Sequence, residues 1–215
     1  MLFNVHRKFL YIHIPRCAGT SMTKALQAAC PLSFVEELGW KHAHAKQIKT
    51  FLIKNQWDVF YKFATIRSPW EIIESDWRHV HRLVNDPPPP AEMIIGQWWL
   101  KRVDRVMAYA DFTEFVEKEY IIESPTQLVG YGGFWNSFCC DDYDQEMDVV
   151  PILYSDLPGA WDAICEEIRI PKSEFPNLNH SEAEPGIWTQ SLIDNVGNQC
   201  YKDIEKFGFK PPIIS

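Results

Sequence analysis

Residues 9–21 read Phe-Leu-Tyr-Ile-His-Ile-Pro-Arg-Cys-Ala-Gly-Thr-Ser, which predicts a strand, a tight turn and the start of a helix. The first six residues form a short, largely apolar run that ends at Pro15, as a buried parallel strand does. After the turn, apolar residues recur with the spacing of one helix face: Met22, Ala25, Leu26 and Ala29. The turn, residues 15–21, is therefore expected at the carboxyl end of the strand, where α/β proteins bind ligands.

The turn at 15–21 has the features of an anion-binding loop. Ala18 and Gly19 are small enough for backbone N–H groups to approach a ligand, and Thr20 and Ser21 add hydroxyl groups. The N-terminus of the following helix contributes about half a positive charge. The turn does not match the Walker pattern G-x-x-x-x-G-K-[ST], because Gly19 is its only glycine and Arg16 precedes it.

A second strand is predicted at residues 59–66, and it leads directly into Arg67. Ser68 is a good N-cap, Pro69 suits the first helical position and Glu71 completes a capping box. A helix is therefore predicted to begin at Pro69, within a residue or so.

The helix predicted after Ser68 has an apolar face that packs inward, and it carries Ser75 on a different face. Its apolar stripe consists of Trp70, Ile73, Trp77 and Val80. At about 100° per residue, Ser75 lies about 140° from that stripe, on the open face. Arg67 and Ser75 can therefore converge on one anion, to which an arginine fork is suited.

These two features resemble the cofactor site of sulfotransferases that use 3′-phosphoadenosine 5′-phosphosulfate (PAPS). Residues 15–21 resemble the 5′-phosphosulfate loop of that family, written around Pro-Lys-(Thr/Cys)-Ala-Gly-Thr-Ser, with Arg16 in place of the lysine. Arg67 and Ser75, eight residues apart across Arg-x-Pro, resemble the pair that grips the 3′-phosphate of the cofactor.

The carboxyl half of the chain resembles the carbohydrate-type (type 2) sulfotransferases. Residues 175–181 resemble their Pro-x-x-Asn-x-Ser loop, and residues 201–209 resemble their terminal Tyr-x-x-Asp-x-x-x-Phe-Gly-Tyr signature. The chain has Ser155 where the family usually ends a strand in glutamate. The resemblance spans residues 9–209, and it implies these cofactor-binding residues: Pro15, Arg16, Cys17, Ala18, Gly19, Thr20, Ser21, Arg67, Ser75, Asn179 and Ser181.

The expected fold class is α/β, a three-layer P-loop-like fold with a mostly parallel central sheet flanked by helices. The resemblance implies sulfotransferase topology. A single domain is expected over residues 1–215, with a Pro-rich insertion around residues 85–105. The remaining predicted elements are a connection at 31–40, a helix that leads to Ile53, a helix that runs out past His81 and is stopped by Asn85-Asp-Pro-Pro-Pro-Pro, a helix from Asp111, an irregular segment at 129–147, a strand at 147–154, and a helix from Asp156 to Ile168.

The resemblance implies in-line transfer of a sulfuryl group from PAPS to a hydroxyl acceptor on a carbohydrate or sugar-bearing metabolite, which leaves PAP as the desulfated product. No metal is expected, since the strand at 59–66 supplies no Walker-B aspartate for Mg²⁺. Arg16 is expected to take over the role of the family's lysine and neutralise charge on the leaving phosphate.

A hydroxyl acceptor needs a base, and a histidine with an ordinary pKa near about 6.5 can serve at neutral pH. His42 and His44 are the candidates, because they follow the first βα unit, where carbohydrate sulfotransferases place their base. Only one of them can face the donor in an extended segment. His42 is preferred, since it matches the Lys-His-x-x-Ala pattern of such sequences.

The segment after the proline run carries Trp98 and Trp99, next to basic residues. Aromatic rings beside basic groups suit stacking on a sugar, so both tryptophans are candidate acceptor-binding residues. Packing of the two rings in the core is the alternative explanation.

Composition limits the partners and the compartment. The net charge of −8 argues against a nucleic-acid partner or an anionic membrane surface, so the positive groups around an anionic cofactor must cluster locally. The six cysteines form no C-x-x-C pair and follow no signal peptide or long apolar span. Reduced, mostly buried thiols and a cytoplasmic location without a membrane span are therefore expected.

Two other functions fit parts of the sequence. A small-molecule kinase of the same broad fold would need Mg²⁺ and ATP, and the missing glycine–lysine pair disfavours it. A non-catalytic module that binds PAP or PAPS remains open, because Arg16 replaces the loop lysine. The acceptor and the oligomeric state are not determined by the sequence.

Overall fold

The computed structural model describes residues 1–30, 34–35, 41–52, 56–85, 97–121, 132–157, 159–176 and 185–214. The chain divides into two compact units, the first formed by Met1–Arg67 with Tyr131–Asn179 and the second by Ser68–Gly130 with His180–Ser215. The expectation of a single domain over residues 1–215 stays a prediction.

The first unit is built on a five-stranded sheet of order β3-β1-β2-β4-β5. The strands are β1 (Leu2–Asn4), β2 (Phe9–Ile12), β3 (Phe34–Val35), β4 (Tyr61–Ile66) and β5 (Val150–Leu153). Strands β2, β4 and β5 are parallel neighbours, whereas β1 is antiparallel to both β2 and β3. Only β1 therefore runs against the others, which confirms the predicted α/β class with a mostly parallel sheet.

Helices pack on the sheet because alternate strand residues present large apolar side chains. Phe9, Tyr11 and Phe63 form one buried cluster with residues of α1 (Gly19–Ala29) and α8 (Gly159–Glu167). The residues of β2 and β4 that alternate with them, such as Leu10 and Ala64, are equally buried. Burial on both faces is what the apolar run in residues 9–14 predicts.

Lys62 is a buried cation at the beginning of β4, and its ammonium group is fully hydrogen-bonded. It donates at 2.9 Å to the carbonyl oxygens of Trp57 and Phe60, and it forms a 3.0 Å ion pair with Asp148. Trp57 belongs to α3 (Gln56–Val59). Three acceptors match the three ammonium protons, which is why a lysine is tolerated in a strand of the core.

Two elements of the first unit differ from the sequence-based expectation. A helix, α7 (Phe134–Cys139), lies in the segment predicted to be irregular, because Phe134, Trp135 and Phe138 bury one side of it. Asp156 does not cap the following helix: it ends a 3-10 turn (Tyr154–Asp156), and α8 begins later. The helix predicted to lead to Ile53 is α2 (Ala45–Phe51).

The second unit is helical in its described residues. Its elements are α4 (Pro69–Asn85), α5 (Gln97–Met107), α6 (Phe112–Val116), a π-helical turn (Glu117–Ile121), α9 (Gln190–Gln199) and α10 (Tyr201–Phe207). Helix α4 begins at the predicted residue and continues past His81 to Asn85, where the segment predicted to stop it begins. Asp111 caps α6 as predicted, accepting a hydrogen bond from the backbone N–H of Glu114 at 3.0 Å.

A buried network of charges joins α4, α5 and the π-helical turn. Arg102 is 1% exposed, and its guanidinium group donates to Asp76 at 2.5 Å and to Glu119 at 3.1 Å. Glu119 also accepts from Arg105 at 2.9 Å, and Asp76 accepts from the Tyr120 hydroxyl at 2.6 Å. Two carboxylates thus meet two guanidinium groups, so the network as a whole is neutral, with Arg105 at its exposed edge.

All six cysteines lie within the described residues, and all are free and buried. The expectation of reduced, buried thiols is confirmed. Burial raises the pKa of the Cys165 and Cys200 thiols, so neither is a thiolate at neutral pH.

Candidate functional site

The predicted anion loop is a short turn between β2 and α1. The helix begins at Gly19 rather than at Met22, so Gly19, Thr20 and Ser21 form its first turn. Residues 13–18 connect the strand to the helix. The helix start therefore lies closer to the carboxyl end of β2 than the sequence predicted.

The backbone φ angle alternates in sign from one residue of this loop to the next. Arg16 and Ala18 have φ angles of +63° and +60°, and neither Cys17 nor Gly19 has a positive φ. Alternation of this kind turns successive backbone N–H groups toward one side and makes a concave anion site. Positive φ is unfavourable for residues other than glycine, so both conformations must be held by their surroundings.

Ala18 occupies the N-cap of α1 and makes no side-chain capping bond. Ser, Thr, Asp or Asn usually stands at this position and accepts a hydrogen bond from the first-turn amides. An alanine has no oxygen for that purpose. An anionic ligand would supply the missing acceptor, so the donor set fits the phosphosulfate group that the resemblance implies.

The loop is anchored to the sheet by two buried hydroxyl groups. Thr65 of β4 donates from its Oγ1 to the carbonyl oxygen of Cys17. Tyr11 of β2 lies 2.8 Å from that Oγ1, and it must be the donor because the single threonine proton is already used. The chain of bonds fixes the carbonyl between the two residues of positive φ.

His13 fills the space beside the first residue of α1. A Cβ atom built on Gly19 would lie 1.6 Å from the Nε2 atom of His13. Glycine is therefore required at position 19 by the neighbouring imidazole, and its φ plays no part in that requirement.

We predict that Gly19→Ala lowers the free energy of unfolding by about 1–3 kcal/mol, because the added methyl group must displace a buried ring. Urea denaturation would measure the loss. The control is Gly159→Ala in α8, where an added Cβ meets nothing within 4 Å. The control should be neutral or stabilising, by up to about 1 kcal/mol. Equal stability of the two variants would contradict the position of His13.

The two candidate bases, His42 and His44, have different surroundings. The His42 ring packs on His13, with 4.6 Å between centroids, and His42 Nδ1 lies 3.0 Å from the carbonyl oxygen of His13. His44 stands at the N-cap of α2 and stacks on Phe138 of α7, with 4.3 Å between centroids. Among the described contacts, only His42 is linked through His13 to the loop.

The hydrogen bond of His42 selects its tautomer. A carbonyl oxygen can only accept, so Nδ1 carries the proton and Nε2 is the basic nitrogen of the neutral ring. His42 as a residue is exposed, but its ring lies against that of His13. This desolvation, opposed by the hydrogen bond to His13 and assisted by Lys41, lowers the pKa of His42 to about 4. Desolvation also lowers the pKa of His44.

Arg67 follows β4 directly, at the same edge of the sheet as the loop that follows β2. Its guanidinium carbon lies 4.4 Å from the ring centroid of Tyr154, which follows β5. Stacking on an aromatic face holds the plane of the guanidinium group in one orientation. Arg67 is only partly exposed, yet it lies at the rim where a ligand of the loop would extend.

The structure does not place the remaining candidate residues beside the loop and Arg67. Ser75 is half-buried on α4, in the second unit. Arg67 belongs to the first unit, as the last residue of its segment Met1–Arg67. Their convergence on one phosphate stays a prediction. Trp98 and Trp99 lie in α5, with no description of their side chains. Asn179 and Ser181 lie outside the described residues.

Sequence reasoning missed His13, Thr65 and Tyr154 as members of this site. The signal for the first two was present, because a histidine and a threonine inside apolar strands need hydrogen-bond partners or a packing role. Tyr154 gave no local signal, since its contact with Arg67 depends on the pairing of β4 with β5.

Two features of the described residues bear on the other expectations. No described helix is long and apolar enough to cross a membrane. Within the same residues, no group of three His, Cys, Asp or Glu side chains is arranged to hold a metal ion. The expectation of metal-free chemistry stays a prediction. Comparison of the chain with protein-family models, with curated proteins and with solved structures finds no match.

Proposed function

We propose that this protein is a sulfotransferase that moves the sulfuryl group of PAPS to a hydroxyl acceptor, of which a carbohydrate or sugar-bearing metabolite is the best candidate. The observation that carries the proposal is the start of α1, which has no side-chain cap. It follows a loop whose φ angles alternate in sign, at the carboxyl end of β2. Such a loop suits a phosphosulfate better than a neutral ligand.

The strand order supports a ligand at this edge of the sheet. After β2 the chain next enters the sheet at β3, on one side, and after β4 it next enters at β5, on the other side. The strand order thus reverses between β2 and β4, and α/β folds bind ligands in the crevice outside such a reversal. The loop follows β2, and Arg67 follows β4.

The residues divide the work as follows under this proposal. The backbone amides of residues 16–21 and the guanidinium group of Arg16 hold the phosphosulfate, and Arg67 holds the 3′-phosphate. The donor supplies the sulfuryl group that is transferred. Nε2 of His42 accepts the proton of the acceptor hydroxyl, while Nδ1 stays bound to the carbonyl of His13. Arginine keeps its proton, so Arg16 stabilises charge by electrostatics alone.

A non-catalytic module that binds PAP or PAPS is the second candidate. The lowered pKa of His42 favours it, because a base with a pKa of about 4 is a weak proton acceptor at neutral pH. A library of hydroxylated sugars and glycans incubated with ³⁵S-labelled PAPS separates the two. Labelled product supports transfer, whereas tight PAP binding without product over the library supports the binding module.

We predict that PAP binds more tightly than 5′-AMP and that Arg67→Ala removes most of that preference. Loss of a charge-assisted contact costs about 1.5–3 kcal/mol, which is about 10- to 150-fold in affinity. Titration calorimetry with both nucleotides would measure it. Arg7→Ala is the control, since Arg7 is exposed in the turn before β2, at the opposite end of that strand. Equal affinity for the two nucleotides in the parent would rule out the 3′-phosphate site.

A further inference from the structure

His13 is a buried polar side chain at the anion loop to which the proposed mechanism gives no role. It follows β2, and the residue is 6% exposed. Its backbone carbonyl accepts from His42, but no hydrogen bond joins either of its ring nitrogens to a described residue. The buried side-chain atoms without a partner among the described residues do not include these nitrogens, so the ring is open to water or to a ligand.

The ring is directed at the start of α1. Its Nε2 atom lies 1.6 Å from the position that a Cβ on Gly19 would take. Gly19 is the first residue of the helix, and the N-cap Ala18 offers no side-chain oxygen. An imidazole nitrogen and the uncapped amides therefore lie at the same end of this 11-residue helix. Both kinds of donor would be satisfied by one oxyanion.

The charged groups around His13 would also attract an anion. The titratable groups that face it are Tyr11 of β2, Arg16 of the loop, Lys41 and His42 of the segment before α2, and the α-amino group of Met1. None of these described groups carries a negative charge at neutral pH. Burial, followed by the effects of His42 and Lys41, holds the pKa of His13 well below its usual range, so the ring is neutral before an anion binds.

We propose that His13 is an oxyanion-binding residue of this loop, with its ring donating an N–H to a sulfate or phosphate-ester oxygen of the ligand. The bound anion offsets the positive groups around the ring, so binding favours the protonated ring and is accompanied by uptake of a proton. The proposal rests on the proposed function for the identity of the ligand as a phosphosulfate. The chemistry itself requires only a tetrahedral oxyanion.

Inorganic sulfate is the probe, because it stays a dianion from pH 5 to 8 and any proton taken up must come to the protein. Titration calorimetry of the full chain at about pH 6, in two buffers of different ionisation enthalpy, gives affinity and proton uptake together. His13→Ala should weaken sulfate binding about tenfold and reduce the uptake to the part that the neighbouring His42 supplies. His13→Gln keeps an N–H donor but cannot be protonated, so it should regain affinity while its uptake stays reduced. His6→Gln, which alters an exposed histidine in the turn before β2, at the opposite end of that strand, should behave as the parent does.

Parental affinity and parental proton uptake in His13→Ala would overturn the proposal. Histidine ¹⁵N NMR of the parent protein is a second test of the contact between His13 and sulfate, and it needs no substitution. The ring nitrogens of His13 must shift as sulfate is added at pH 6, and unchanged shifts would equally overturn it. Sulfate binding that depends on His13, in a protein that binds PAP no better than 5′-AMP, would support the oxyanion residue and reject the sulfotransferase.

Discussion

His42→Ala should lower kcat by about 10²- to 10⁴-fold and leave PAP affinity near that of the parent. The reason is that Nε2 of His42 is the basic nitrogen of a ring whose Nδ1 is bound to the carbonyl of His13, beside the loop. His44→Ala is the matched control, because His44 stacks on Phe138 and should contribute to stability more than to rate. Steady-state rates with an identified acceptor, together with PAP calorimetry, make the comparison.

The pH profile gives an independent check on the same base. Activity requires neutral His42, so it is present above the pKa and is lost as pH falls through it. With a pKa of about 4 in the free protein, kcat/KM for PAPS should stay flat from about pH 8 to pH 5. A bound polyanion raises that pKa, so the acidic limb of kcat should lie at higher pH. Parental kcat in both histidine variants would place the base elsewhere, with Glu36 and Glu37 next to be tested.

The strand–turn–helix at residues 9–29 and the start of α4 could be predicted because each depends on local chemistry. An apolar run that ends at Pro15 predicts β2, and Ser68 with Pro69 predicts the helix that the structure places at Pro69–Asn85. Strands β1 and β3 were not predicted. They are short, with three and two residues, and only their pairing with other strands stabilises them.

The detailed geometry of the loop could not be predicted from residue types. Sequence placed the start of α1 at Met22, because the apolar spacing begins there, but the left-handed conformation of Ala18 starts the helix at Gly19. The carbonyl group of the preceding residue, Cys17, is held by Thr65, which is 48 residues away from it in the chain. Loops whose shape is set by a neighbouring strand carry no local signal of it.

Helix α4 shows where periodicity fails on a buried face. The apolar stripe was expected to include Trp77, which is only half-buried, whereas Asp76 is 2% exposed. Periodicity assigns a carboxylate to the solvent side, and the partner that overrides this, Arg102, lies on another helix. A buried ion pair can be inferred only when both of its members are known to face each other.

Arg102→Met should lower the free energy of unfolding by about 3–5 kcal/mol, because it leaves Asp76 and Glu119 as buried carboxylates without their shared cation. Burial alone would lower the pKa of Arg102, but Asp76, Tyr120 and Glu119 together raise it, so the guanidinium group stays charged. Lys101→Met, the same kind of change at the preceding exposed residue of α5, should alter stability by less than about 0.5 kcal/mol.

A double-mutant cycle with Asp76→Leu identifies the cause of that loss. If the cost comes from an unpaired charge, Asp76→Leu combined with Arg102→Met should be less destabilising than the sum of the single variants, by about 0.5–3 kcal/mol. Additive costs would mean that the two side chains do not interact. Glu119 keeps Arg105 at 2.9 Å and the Tyr109 hydroxyl at 2.8 Å, so it stays partly paired in every variant of the cycle. The coupling energy therefore reports on the pair between α4 and α5 alone.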